Sequence, residues 1–134
     1  MSNTASVKKA KDDNALSHIA WRASFPNARR RMAFIKQIAQ RIAQEFQPDK
    51  IILFGSQADG KPKWYSDIDL LVIMPFEGSQ LKQAVTILNR LDLLVPIDLL
   101  AYTPEHIRQR LAMGDDFVRE ILDKGKVIYE AAHT

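Results

Sequence analysis

The segment Asp67-Ile68-Asp69-Leu70-Leu71-Val72-Ile73-Met74 sets two carboxylates at the head of an uninterrupted apolar run. A short continuous run of this kind suits a central β-strand covered on both faces. Side chains alternate along a strand, so Asp67 and Asp69 are expected on one face and Ile68 on the other. At a rise of about 3.3 Å per residue their Cα atoms lie roughly 7 Å apart, close enough for both carboxylates to converge on one or two hard cations. Without a cation the two repel each other, and one tends to take up a proton. For an isolated Asp-x-Asp the commoner arrangement is a pair of strand-end acids facing water.

The upstream segment shifts that balance. Lys50 to Phe54 (KIILF) reads as a second short apolar strand, and Gly55-Ser56 follows where it should end. Glycine adopts backbone angles closed to other residues and lets a phosphate approach the main chain. Ser56 offers a hydroxyl and is expected to cap a short helix beginning near Gln57, with free N–H groups facing an anion. On its own, Gly-Ser would be an ordinary turn. A third acid, Asp98, interrupts the apolar run Val95-Pro96-Ile97-Asp98-Leu99-Leu100, and Pro96 marks an edge or a strand start. Three carboxylates on two adjacent strands form an oxygen-rich site suited to two magnesium ions roughly 4 Å apart.

These residues resemble the minimal nucleotidyltransferases of the DNA polymerase beta superfamily, whose signature is Gly-Ser, a ten-residue spacer and Asp-x-Asp. Gly55, Ser56, Asp67 and Asp69 match it position by position, and Asp98 matches the later acid. The likeness runs from about Arg31 to Glu130. It implies transfer of AMP from ATP to a hydroxyl, with Asp67 and Asp69 holding two Mg2+ ions. Asp98 would help hold the second ion and orient or deprotonate the acceptor, and Gly55 and Ser56 would hold the terminal phosphates. It also implies an antitoxin that adenylylates a tyrosine of a partner HEPN-domain ribonuclease toxin. Two other readings stand beside it: a non-catalytic antitoxin that only binds its toxin, and a small-molecule (antibiotic) nucleotidyltransferase, for whose extra helical domain the chain is short. The chain departs from the family at Gln57 and Asp59, where arginine is common; Lys61 or Lys63 would have to offset Asp59, or Asp59 would have to point away. Trp64 and Tyr65 are candidates either to stack on a base or to anchor their loop.

At 134 residues and 46% apolar the chain supports one domain. We divide it into a basic, partly disordered or helical extension over 1–28 and a nucleotidyltransferase domain over 29–134. With no cysteine there are neither disulfides nor thiolate metal sites. His18, His106 and His133 are scattered and read as surface residues. The absence of a membrane-length apolar run and of a signal-peptide core leads us to expect a soluble, cytoplasmic protein. Nine Lys/Arg and two acids fall in residues 1–41, but ten Lys/Arg and fourteen acids in 42–134. The basic pI therefore belongs to the amino-terminal part, and binding of RNA or of an acidic protein surface is a secondary reading.

Periodicity predicts a helix from Arg29 to Phe46 burying Ile35, Ile38, Ala39, Ile42 and Phe46, ended by Pro48. A second is capped by Ser79 and runs to about Leu91, with Leu81, Val85, Leu88 and Leu91 as its buried stripe. Thr103-Pro104 starts a third that Gly114 stops, and Asp115 starts a fourth that ends near Gly125 with Phe117, Ile121 and Leu122 as its apolar side. Val127 to Tyr129 reads as a short final strand, and residues 1–13 as disordered. The order helix, strand, strand, helix, strand, helix, helix gives an α+β domain in two layers with a small mixed β-sheet.

Overall fold

The computed structural model describes residues 6–8, 21, 24–62, 67–93 and 95–132. Among the described residues the elements are β1 (Ser6–Lys8), α1 (Ala28–Phe46), β2 (Lys50–Phe54), α2 (Ser56–Asp59), β3 (Ile68–Ile73), α3 (Gln80–Leu91), β4 (Ile97–Tyr102), α4 (Pro104–Ala112), α5 (Asp116–Lys124) and β5 (Lys126–Glu130). The strands make one mixed α+β sheet in the order β1-β4-β3-β2-β5. Only β3 and β4 run parallel, and α3 is the crossover that this pairing requires. The pairing of β1 along β4 corrects the expectation of disorder at positions 6–8. An exposed ladder edge on β4 offers backbone hydrogen bonds that even a three-residue strand can take up.

The helix boundaries follow local chemistry. The Asn27 side chain accepts from the N–H of Arg30, opening α1. Ser79 does the same for Lys82, and Thr103 for His106 ahead of Pro104. Each satisfies a backbone donor that the first helical turn leaves without a partner.

Alternate residues of the strands feed two cores. Ile51, Leu53, Ile68, Leu70, Val72, Ile97 and Leu99 pack beneath α1 and α3 together with Ile35, Ile38, Ile42, Ile87 and Leu91. Trp21 joins this core and lies 5.7 Å from the Phe34 ring. On the other face Ile52, Leu71, Leu100 and Tyr102 meet Ile107 of α4 and Val118 and Ile121 of α5. The α1 stripe is as expected, except that Phe46 is half-buried. The stripe on α3 is rotated: Ala84 and Ile87 are buried with Leu88 and Leu91, whereas Leu81 and Val85 are 50% and 37% exposed. Two overlapping apolar stripes satisfy the same periodicity, and the helix turns toward the one whose small Ala84 permits close approach to β4. On α5, Val118 and Ile121 are the buried pair, Leu122 is half-buried and Phe117 remains exposed.

His106 is not a surface residue. It is half-buried against the Tyr102 ring, and the Gln80 side-chain amide lies 2.8 Å from its Nδ1. Burial first, and then the nearby Arg110 charge, hold its pKa below the usual histidine value. His18, His133, Lys63, Trp64 and Tyr65 lie outside the described residues. Among the described residues no helix is long and apolar enough to cross a membrane.

Candidate active site

The two strands that carry the acids are hydrogen-bonded neighbours, and their register puts Asp69 directly beside Asp98. The row continues to Phe54 on β2, the antiparallel partner of Asp69, and to the register position of Lys8 on β1. Asp69 and Asp98 belong to the face that α4 and α5 cover only in part, because Leu70 and Leu99 beside them fill the opposite core. Pro96 stands immediately before β4, where its missing N–H costs no ladder bond, and its carbonyl accepts from Ile68.

Strand β3 begins at Ile68, so Asp67 sits one residue ahead of it rather than inside the ladder. Asp67 is half-buried and does not line the cleft described below. Among the described residues no three His, Asp or Glu side chains gather closely enough to hold a metal ion. The structure thus brings together Asp69 and Asp98, and leaves Asp67 at the mouth of its strand.

Gly55 ends β2 at φ 74°, in the region closed to most L-residues. A Cβ there would also run into Oδ2 of Asp69. The turn and the carboxylate are therefore packed against each other, and no side chain fits between them. Gly55, not Ser56, is the cap residue of α2 and has no side chain to cap with; Ser56 is the first residue of the helix. The expected role of Ser56 as an N-cap is corrected accordingly, since the helix already begins at Ser56.

These residues open onto a cleft of about 660 Å³, within the range of roughly 300–1,000 Å³ typical of small-molecule sites. Among the described residues its walls carry four carboxylates, Asp59, Asp69, Asp98 and Glu120, and one ammonium, Lys124. Phe54, Leu100, Phe117 and Ile121 supply an apolar side. Asp59 thus lines the cleft rather than pointing away from it, and Lys124 lines it too, whereas Lys61 does not. Lys124 pairs with Glu120 at 3.7 Å, but both side chains are exposed and such a pair holds weakly. Phe54, Phe117, Glu120 and Lys124 carry no motif in the sequence. The only signal for the last three is their i, i+3, i+7 spacing on one helix face.

Helix α5 is held in place from its start. The Asp115 side chain accepts from the Val118 N–H, and Arg110 of α4 grips it with Nη2 at 2.6 Å and Nε at 2.7 Å. The Val118 N–H foremost, and Arg110 with it, keep the Asp115 carboxyl below the usual aspartate range. At the other end, a Cβ on Gly125 would meet the Ile121 carbonyl and the Ile52 side chain, so the helix exits tight against β2.

One further feature bears on a metal. Oδ1 of Asp98 is buried and has no hydrogen-bond partner. An unpaired carboxylate oxygen away from water is costly, and a cation held between it and Asp69 would satisfy it. An all-oxygen donor set of this kind suits Mg2+.

Comparison with known proteins bears on the fold and the family. A candidate nucleotidyltransferase from Sulfolobus solfataricus superposes with a TM-score of 0.57 at 16% identity, over 80% of this chain and 86% of its own. A toxin–antitoxin structure with AMP-PNP gives a TM-score of 0.49 at 20% identity, over 72% and 73% of the two chains. No curated protein is significantly similar in sequence. The sequence profile of the nucleotidyltransferase domain matches residues 35–128, which contain the Gly55 turn, both β-strand aspartates and the α5 wall, and the chain therefore belongs to the nucleotidyltransferase domain family.

Proposed function

We propose that the chain transfers AMP from ATP, with release of pyrophosphate, to a tyrosine hydroxyl of a partner HEPN ribonuclease toxin, and so acts as its antitoxin. The observation that supports transfer chemistry is the Asp69–Asp98 pair beside the Gly55 turn, with Oδ1 of Asp98 buried and unpartnered. The four carboxylates and one ammonium among the described lining residues would repel a bare triphosphate, which supports its entry together with cations. Asp69 and Asp98 would hold Mg2+, with Asp67 as a further ligand from the mouth of β3. Bound there, Mg2+ would neutralise the triphosphate and lower the pKa of an acceptor hydroxyl. Gly55 lets the Asp69 carboxylate pack directly against the turn, and the terminal phosphates would lie against the turn and Ser56 beside that carboxylate. Asp98 would orient the acceptor hydroxyl and take its proton. The new bond joins the tyrosine oxygen to the α-phosphorus, and the bond from that phosphorus to pyrophosphate breaks. The protein acceptor rests on the resemblance to the minimal enzymes.

A second reading, binding without transfer, is favoured by Asp59, an acid that lines the cleft where a triphosphate would have to sit. Two measurements separate the readings. Mg2+ should raise the melting temperature of the wild type and not that of Asp98→Asn. Wild type with ATP should add the mass of one AMP, or a small multiple, to a partner tyrosine, and Asp98→Asn should add none. Protection from the toxin by Asp98→Asn with no added mass would replace the enzyme by a binding module.

A further inference from the structure

The cleft has an aromatic end as well as an acidic one. Phe54 is the cross-strand partner of Asp69, so the two side chains share the cleft face as neighbours. Phe117 meets the Phe54 ring edge to face, with centroids 6.0 Å apart and 86° between the planes. That contact does not close Phe117 off, since it is 37% exposed. Phe117, Glu120, Ile121 and Lys124 all line the cleft at i, i+3, i+4 and i+7 of α5, so this face of the helix is turned to the cleft along its length. The Arg110–Asp115 bridge at the start of α5 fixes where Phe117 stands. A partly open ring, braced by a second ring that is itself the cross-strand neighbour of a carboxylate, is an aromatic platform in the same cleft as the acids.

We propose that Phe117, braced by Phe54, is the platform on which the nucleobase stacks, with the phosphates toward Asp69 and Asp98. This rests on the nucleotide reading above and assigns the base a place within it. A stack reads the π-face and not the hydrogen-bonding edge, so purines should bind better than pyrimidines, with little distinction between adenine and guanine.

The test is titration calorimetry in Ca2+ with ATP and with inorganic tripolyphosphate, on wild type, Phe117→Leu and Phe117→Tyr. Leucine keeps an apolar side chain at this position but removes the ring, and tyrosine restores the ring. Phe117→Leu should weaken ATP about tenfold or more, leave tripolyphosphate unchanged, and be rescued by Phe117→Tyr. Unchanged ATP affinity in Phe117→Leu, or equal loss for ATP and tripolyphosphate, would overturn the platform. Wild type binding tripolyphosphate as tightly as ATP would also overturn it while leaving the phosphate site standing. Wild type binding neither ligand would overturn the nucleotide reading itself.

Discussion

The same three strands present two faces of opposite character. Beneath α1 and α3 the residues Leu53, Leu70 and Leu99 lie in a continuous apolar core with no exposed surface. One residue along, on the other face, Phe54, Asp69 and Asp98 form the wall of an open cleft, because α4 and α5 are short and cover only the far part of that face. The first face holds the sheet together. The second is released from that duty at one end, and can therefore keep a buried carboxylate oxygen without a partner. A single-residue step in β3 or β4 changes the role of a side chain completely, so adjacent substitutions should fail in different ways.

The widest separation is expected between Asp69→Asn and Leu70→Ala. The first should reduce magnesium-dependent transfer by roughly a hundredfold or more and leave the melting temperature near the wild-type value. The second should cost about 2–5 kcal/mol of stability while the surviving folded fraction transfers normally. Denaturant titration beside single-turnover label transfer would read both. If Leu70→Ala lost transfer per folded molecule as severely as Asp69→Asn, the division of labour between the faces would be refuted.

At the edge between the faces, Gly55→Val should damage both properties. A branched side chain is strained at φ 74° and would press on the Asp69 carboxylate, costing about 1–2 kcal/mol from the backbone alone. Saturable nucleotide binding should be lost. Unchanged nucleotide affinity would reduce Gly55 to an ordinary turn residue.

The smallest effect belongs to the two helices of the open face. Asp115 and His106 both have lowered pKa values in the fold. For each, the unfolded chain binds protons more readily than the folded one, so the stability they contribute is present at neutral pH and is lost on acidification. The loss should begin as the pH falls past the ordinary histidine value of about 6.5 and continue through the ordinary aspartate value of about 3.9. Asp115→Asn keeps a good cap residue but no longer titrates, so its melting temperature should fall less steeply over the acid part of that range. A slope identical to wild type would mean that the Arg110–Asp115 bridge does not anchor α5.

Capping residues and short-range motifs were legible because their chemistry is local. Ser79, Thr103 and Asp115 each act on an N–H three residues away, and Gly55, Asp69 and Asp98 stand at the end, the head and near the start of apolar runs that announce strands. The order of elements and the mixed sheet followed from them. What is not local was not legible. Which stripe of α3 is buried depended on the sheet it meets, and Leu81 and Val85 lost to Ala84 and Ile87. The pairing of β1 with β4 depended on an edge formed only when the sheet assembles.

By itself, then, the sequence determined the family, the carboxylates on β3 and β4, and the glycine turn, because each is a matter of residue type at fixed spacing. Tertiary structure alone decided that Asp69 and Asp98 stand side by side while Asp67 lies just outside the ladder, since register is set by pairing across strands that are distant in the chain. It alone decided that Phe117, Glu120 and Lys124, some fifty residues beyond the Asp69 carboxylate in sequence, complete the same cleft. No spacing rule links them to it; only the docking of α5 against β2, through Ile121 and Gly125, brings them there.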